Sequence, residues 1–510
     1  MHWLPGSIRP VSLQTSASEE LLAGPIRGDL LGADHLAARA REIARRQQFV
    51  AGKNPLRSAR LLARLAQTRD ILATARDRLI VAASMEEEGD AAGDWFLDNY
   101  HVVHEQLQAV RNSLPSGFYR ELPELTAGPL TGYPRVYEMA ISLISHTEAE
   151  LTPDSVDLYV EAFQSVTPLS IGELWAVPAM LRLGLIESVR RMTLRTVMRL
   201  DERARAVSAA DRIRSANARG GPHVRLALQE FAEQDHALSP HFVSRFLQLL
   251  RQTEGASIAL EWLEHWLHDA GVPPTQVVAE STQRLALTQR VMANSITSLR
   301  DVGLRDWRVF VEHQSAMHAT LCTDPDGTYP VMTFATRDRY RHVVERIAKA
   351  TGRTEVAVAA QAIELARQGA RASIPGEGAP IGHVGYYLVD EGLSDLEQWA
   401  GYRPTVRERL QRWAHAAPNA TFVGSVVVCT LVTMLVVLFA GAPAGLHPAW
   451  VLLVLAGPLV EFSVTLVQQG IMAILPTQVL PRLDLQQPGV ATTQHTVLVM
   501  PTLFASLHDV

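Results

Sequence analysis

Two histidine pairs could do chemistry by spacing alone: His101 and His104 in HVVH, and His265 and His268 in HWLH. Residues three apart share a helix face, so each pair could offer two ligands to a metal ion. A metal centre needs further donors, and none is marked near either pair, so both read as surface or capped histidines. Glu461 is unusual in a different way, because it lies inside an apolar run. An ionisable group at membrane depth is costly and normally faces protein or a water-filled cavity; its plainest role is a hydrogen bond to a partner helix. No P-loop and no Gly-rich dinucleotide fingerprint occurs. Residues 343–366 imitate a helix-turn-helix with Gly352 at the turn. The second helix offers Glu355 and Gln361 and no Arg or Lys before Arg367, whereas a DNA reader needs cations for phosphates, so helix packing is the better reading.

The run holding Glu461 belongs to a pair. TFVGSVVVCTLVTMLVVLFA (421–440) has no charged side chain, and AWVLLVLAGPLVEFSVTLVQQGIMAIL (449–475) follows a Gly/Pro turn. Each is long enough to cross a bilayer core, which takes about 20 apolar residues. The sequence predicts a transmembrane hairpin over 419–475, with spans 421–441 and 449–475. Arg403, Arg407, Arg409 and Arg412 precede the first span, and the turn carries no Arg or Lys. Positive charge stays inside, which places the region before the hairpin and the tail after it in the cytoplasm. The N-terminus lacks a basic patch followed by an apolar run, so targeting is expected to rest on the first span.

The remainder reads as helices. A net charge of −6 over 510 residues gives no basic footprint for nucleic acid. Cys322 and Cys429 are the two cysteines, one in the soluble part and one in a span, so neither a disulfide nor a metal cluster is indicated. Residues 1–22 read as a loose polar tail, and 23–418 as an irregular multi-helix region with a possible sub-boundary near 218–222. Asn54-Pro55 separates two helices, another runs from Asp94 to about Asn112, and Thr152 to Asp154 and Ser170 to Glu173 look like N-terminal caps. HVGYYLVDEG (383–392) could hold a short strand before a connecting helix. After the hairpin, 476–510 reads as a linker and a buried strand, HTVLVMPTL, of the kind that opens a nucleotide-binding α/β domain. The fold class is mainly α, with a membrane hairpin and a single terminal β-strand.

Several blocks resemble one family. GPIRGDLLGADHL (24–36), GFYRELPEL (117–125), SIGELWAVPAMLRLGLIESVRRM (170–192), NSITSLRDVGLRDWRVFVE (294–312), DPDGTYPVMTFATRDRYRHVVERIA (324–348), HVGYYLVDEG and LPTQVLPRLDL (475–485) are similar, in order, to the cyclic β-1,2-glucan synthases, large bacterial inner-membrane proteins. The resemblance implies that a helical region and hairpin precede a glycosyltransferase domain using UDP-glucose and a divalent metal. HTVLVMPTL resembles that domain's first strand, so UDP-glucose and metal would belong to a domain missing from this chain.

Glycosyl chemistry needs positioned carboxylates or a metal-bound diphosphate. The acids that the blocks single out are Glu121, Glu173 and Glu312. The interaction candidates are Tyr119, Arg120, Glu121, Glu173, Trp175, Arg337, Tyr340, Arg341 and Glu461; no catalytic, cofactor-binding or metal-binding residue is assigned. Trp175 near Glu173 could bind sugar, though aromatics more often serve the core. The expected function is that of a non-catalytic anchoring module of such a synthase, with membrane lipid, the transferase domain and further spans as partners. The alternative is a free-standing membrane-anchored helical scaffold.

Overall fold

A computed structural model describes residues 28–52, 59–84, 90–233, 239–253, 255–269, 273–372, 380–440, 448–474 and 480–484. The expected tail over 1–22, the turn between the spans and the strand HTVLVMPTL lie outside the described residues. Within them the fold is mainly α, with twenty-one α-helices and one two-stranded ribbon. The chain divides into two compact units, Met1–Ser315 and Ala316–Val510.

The first unit contains α1 (Ala33–Arg46), α2 (Arg60–Ser84), α3 (Ala91–Asp98), α4 (Tyr100–Ser113), α5 (Ser116–Glu121), α6 (Arg135–His146), α7 (Pro153–Gln164), α8 (Ile171–Asn217), α9 (Gly221–Glu233), α10 (Pro240–Gln252), α11 (Ser257–Asp269), α12 (Pro274–Leu304) and α13 (Trp307–Gln314). Strands β1 (Phe49–Val50) and β2 (Glu124–Leu125) pair antiparallel, Phe49 opposite Leu125. The organising element is α8, at 47 residues. It starts where Ser170 and Glu173 form a reciprocal capping box, as the sequence predicts, and α7 starts on a second box from Thr152 and Ser155. The first half of α8 is buried against α6, α4, α2 and α12. Gly184 permits the approach of α6, since a Cβ there would stand 2.5 Å from Ile144 Cδ1. Its last turns belong to another core, in which Ala206, Ala210 and Ile213 meet Phe231, Phe242, Phe246, Leu263 and Val277 from the four following helices.

Where the sequence suggests one helix from Asp94 to Asn112, the chain breaks at Asn99, which leaves the helical region at φ −109°, ψ 13°. Its side chain explains the break: Nδ2 donates to the Trp95 carbonyl and Oδ1 accepts from Arg300 on α12. Asn competes for backbone groups in this way and so favours helix ends.

The second unit contains α14 (Ala316–Leu321), α15 (Phe334–Thr351), α16 (Glu355–Ala372), α17 (Val384–Val389), α18 (Leu393–Ala400), α19 (Val406–Ala416), α20 (Pro418–Ala440) and α21 (Pro448–Ile474). Gly352 closes α15 in the left-handed region (φ 73°) and α16 buries Val358, Ala359, Ala362, Ile363 and Ala366, so the helix-turn-helix pattern is a packed pair. The short strand suggested in HVGYYLVDEG is instead α17. Its buried residues, Val384, Gly385, Tyr387 and Leu388, recur at helical spacing and not at the alternation of a strand. α20 and α21 pack on each other, and among the described residues almost none of their apolar stretch is buried. Among the described residues, two helices are thus long and apolar enough to cross a membrane, over Pro418–Phe439 and Leu453–Ala473.

Candidate functional site

The candidate residues fall into three places. In the first unit, Tyr119 is fully buried at the end of α5, Arg120 is partly buried and Glu121 is exposed. Glu173 and Trp175 stand on the first turns of α8, and Glu312 on α13. Glu173 has a fixed task. Its carboxylate accepts from Arg135 Nε at 2.5 Å and Nη2 at 2.8 Å, and from Ser170 N and Oγ at 3.0 Å each. Arg135 also donates to the Pro168 carbonyl and lies 4.0 Å above the Phe49 ring, which ties the ribbon to the same point. Both side chains are buried, so this is a structural clasp joining α6, α8 and β1. Trp175 is half-buried beside it.

A second buried carboxylate, one that the sequence reading missed, holds α2 to α8. Glu187 accepts from Arg64, Arg190 and Arg191 at 2.6 to 2.8 Å. Burial alone would raise its pKa, but the hydrogen bonds from Arg190 and Arg64 win and hold it down at about 2.

The second unit gathers Arg337, Tyr340 and Arg341 on α15 around residues that no spacing in the sequence links. Asp324 is buried after α14, and its Oδ2 lies 2.6 Å from His383 Nδ1 across 59 positions. The same carboxylate accepts from Tyr329 N at 3.2 Å and from Val384 N at 2.9 Å. The last bond caps α17, whose first N–H groups have no intrahelical partner. Tyr340 stacks on Tyr329 and lies tilted against the His383 ring, with centroids 6.1 Å from each, and burial pushes its hydroxyl up to about 12. Arg341 is fully buried, donates to Asp338 Oδ1 at 3.1 Å and lies over the Phe334 ring. Arg337 Nη1 donates to the carbonyls of Pro330, at 3.1 Å, and Met332, at 2.5 Å.

Asp324, Asp326 and His383 bring ligand atoms within 4.8 Å of one another. As a metal site the group is poorly disposed, because both Asp324 oxygens are already engaged by three donors and Asp326 accepts from Thr328. As a general base it is no better placed. A base must reach a substrate proton with its free nitrogen, and His383 Nε2 is buried 2.5 Å from the point a Cβ on Gly385 would occupy. The cluster therefore works as a clasp between the 322–329 turn and α17.

Beside that clasp the chain returns from the hairpin. Thr333 N donates to the Arg482 carbonyl at 2.9 Å, Asp484 N to the Val331 carbonyl at 2.8 Å and Arg482 N to Thr336 Oγ1 at 3.1 Å. The residues following α21 thus lie on the start of α15. Glu461 is exposed on α21, and no bond from its side chain to α20 occurs among the described residues. Neither histidine pair joins a metal-type group among them: His104 meets Gln108, and His265 lies 3.5 Å from Asp269.

Taken together these features define an α-helical protein of two units, each with its own buried polar clasp, the second of which includes a pair of long apolar helices. No protein-family model matches the chain. It is 33% identical over 349 residues to cyclic β-(1,2)-glucan synthase NdvB of Rhizobium meliloti (strain 1021), a match covering 68% of this chain and 12% of that protein. Over that stretch the chain belongs to the cyclic β-(1,2)-glucan synthase family, and it spans a small part of that relative's length.

Proposed function

We propose that this chain is the membrane-anchoring, non-catalytic helical module of a cyclic β-1,2-glucan synthase. Its helical units would lie on the cytoplasmic side of a bacterial inner membrane. The observation that carries this reading is the backbone pairing of residues 482–484 with 331–333. Chain leaving α21 meets chain that precedes α20, as an in-and-out hairpin requires. The exposed Arg403, Arg407 and Arg409 ahead of α20 support the cytoplasmic side.

A nucleotide-sugar site of the doubly wound kind lies at the strand ends of a parallel sheet. The described residues offer one ribbon of two-residue strands. UDP-glucose and a divalent ion would accordingly be bound by a separate transferase region, which this module braces at the membrane. The test is transfer of labelled glucose from UDP-glucose in membranes holding the 510-residue chain, alone or with a transferase region of the family. Transfer only with the added region is expected. Transfer by the chain alone would overturn the non-catalytic reading.

A further inference from the structure

α19 buries Ala414 but carries its large apolar side chains on the face turned away from protein. Its other contacts with protein are polar: Arg412 donates to both oxygens of Glu397 at 2.8 and 2.6 Å, and Glu408 accepts the Tyr402 hydroxyl at 2.8 Å and lies 3.5 Å from Arg346. Residues 408 and 412 are one turn apart and define that side. On the opposite side stand Val406, Leu410 and Trp413, at 81, 57 and 55% exposure and at i, i+4, i+7 spacing. A helix of a water-soluble protein has the reverse arrangement, apolar stripe inward.

Two further observations say what covers the stripe. Arg407 and Arg409, both exposed, flank it on either side, so the surface pairs apolar insertion with positive charge. Ala417 alone separates α19 from α20, whose Val423, Val427 and Val428 are more than half exposed. The stripe therefore stands one residue ahead, along the chain, of the surface that a bilayer would cover. Ala417 leaves the helical region at φ −132°, ψ 65°, so the chain can change direction between the two helices. A short helix rich in Arg, with Leu and Trp on one face and low overall hydrophobicity, is the pattern of a helix lying in the interface plane.

We propose that α19 lies in the membrane interface, with Val406, Leu410 and Trp413 among the acyl chains and Arg407 and Arg409 on anionic lipid headgroups. This rests on the reading of α20 as a membrane span. Its role would be to set the height and tilt of the second unit on the bilayer.

The test uses the full chain with Cys322→Ser and Cys429→Ser, reconstituted in phosphatidylcholine/phosphatidylglycerol vesicles. Spin labels are placed at Leu410→Cys or Val428→Cys, and collisions with oxygen are compared with those of a water-soluble nickel chelate. The 410 label should favour oxygen at a depth of about 5–10 Å, the range for interfacial helices, with the 428 label deeper. Adding Arg407→Glu and Arg409→Glu should move the 410 label toward water. If the 410 label favours the nickel chelate, or is shielded from both reagents by protein, while the 428 label is deep, the proposal falls and the span stands. A 428 label in water would overturn both.

Discussion

Arg135 and Glu173 face each other through two parallel N–H···O bonds, Nε to Oε1 at 2.5 Å and Nη2 to Oε2 at 2.8 Å, in a site closed to solvent. Breaking a buried pair from one side leaves an uncompensated charge and typically costs about 3–5 kcal/mol. Glu173→Gln keeps an acceptor for the cap of α8 yet removes the charge, so we predict a fall of several degrees in the unfolding temperature of the first unit. Arg135→Met combined with Glu173→Gln should lose less than the two single losses added. Calorimetric scans of the four proteins decide this, and simple additivity would show that the two residues act separately.

His241 gives a pH dependence of definite sign. Burial, helped by the nearby Arg199, lowers its pKa to about 4. The unfolded chain, with a His pKa near 6.5, therefore binds more protons than the fold between these values. Stability is fully present above about pH 6.5 and is lost as pH falls toward 4. Glu187 acts lower: with a folded pKa of about 2, its contribution is present above about pH 4.5 and is lost as pH falls toward 2. We predict that His241→Gln flattens the slope of unfolding temperature between pH 6.5 and 4 and leaves the lower limb unchanged. An identical slope in the variant would refute the assignment.

Gly385 is a point of close approach. A Cβ there would stand 2.4 Å from Tyr340 Oη and 2.5 Å from His383 Nε2. Both rings are held in the Asp324 clasp, so neither can yield freely, and overpacking of this kind costs about 1–3 kcal/mol. Gly385→Ala should increase hydrogen exchange at Val384 and Tyr329, whose N–H groups the Asp324 carboxylate accepts. Unchanged protection at both amides would mean that the clasp tolerates the methyl.

Val432 lies near the middle of α20 and is 53% exposed. If α20 crosses a bilayer, Val432→Arg should hinder insertion by about 2.5–3.5 kcal/mol, the usual penalty for Arg at a helix centre. The membrane-bound fraction should then drop several-fold in a flotation assay. A variant that floats as well as the parent would count against a span.

What could be read in advance was local. The capping boxes at Thr152 and Ser170, the stop at Gly352 and the apolar lengths of α20 and α21 each lie within a few residues of chain, where spacing and side-chain chemistry are visible. The clasps were not legible: Arg135 and Glu173 are 38 positions apart, and Asp324 and His383 are 59 apart. The same limit explains α17. Its apolar run is too short for periodicity alone to separate helix from strand, and the carboxylate that caps it comes from elsewhere in the chain. Asp324 carried one signal, the turn-forming run DPDG ahead of an aromatic, which marks a turn but not its partner.

The length of α8 carries a consequence for the spacing of its two cores. At 1.5 Å per residue it is a rod on the order of 70 Å long, and the core around Ile213 is keyed to its last turns as the one around Ala179 is to its first. Each added residue advances the rod by about 100°. One residue inserted near Asp201 would swing the far core out of phase with the near one, whereas seven would restore the phase to within about 20° but shift the far core on the order of 10 Å along the axis. The backbone of α8 thus works as an indexing shaft, in which the number of residues between the two cores matters as well as the side chains that build them.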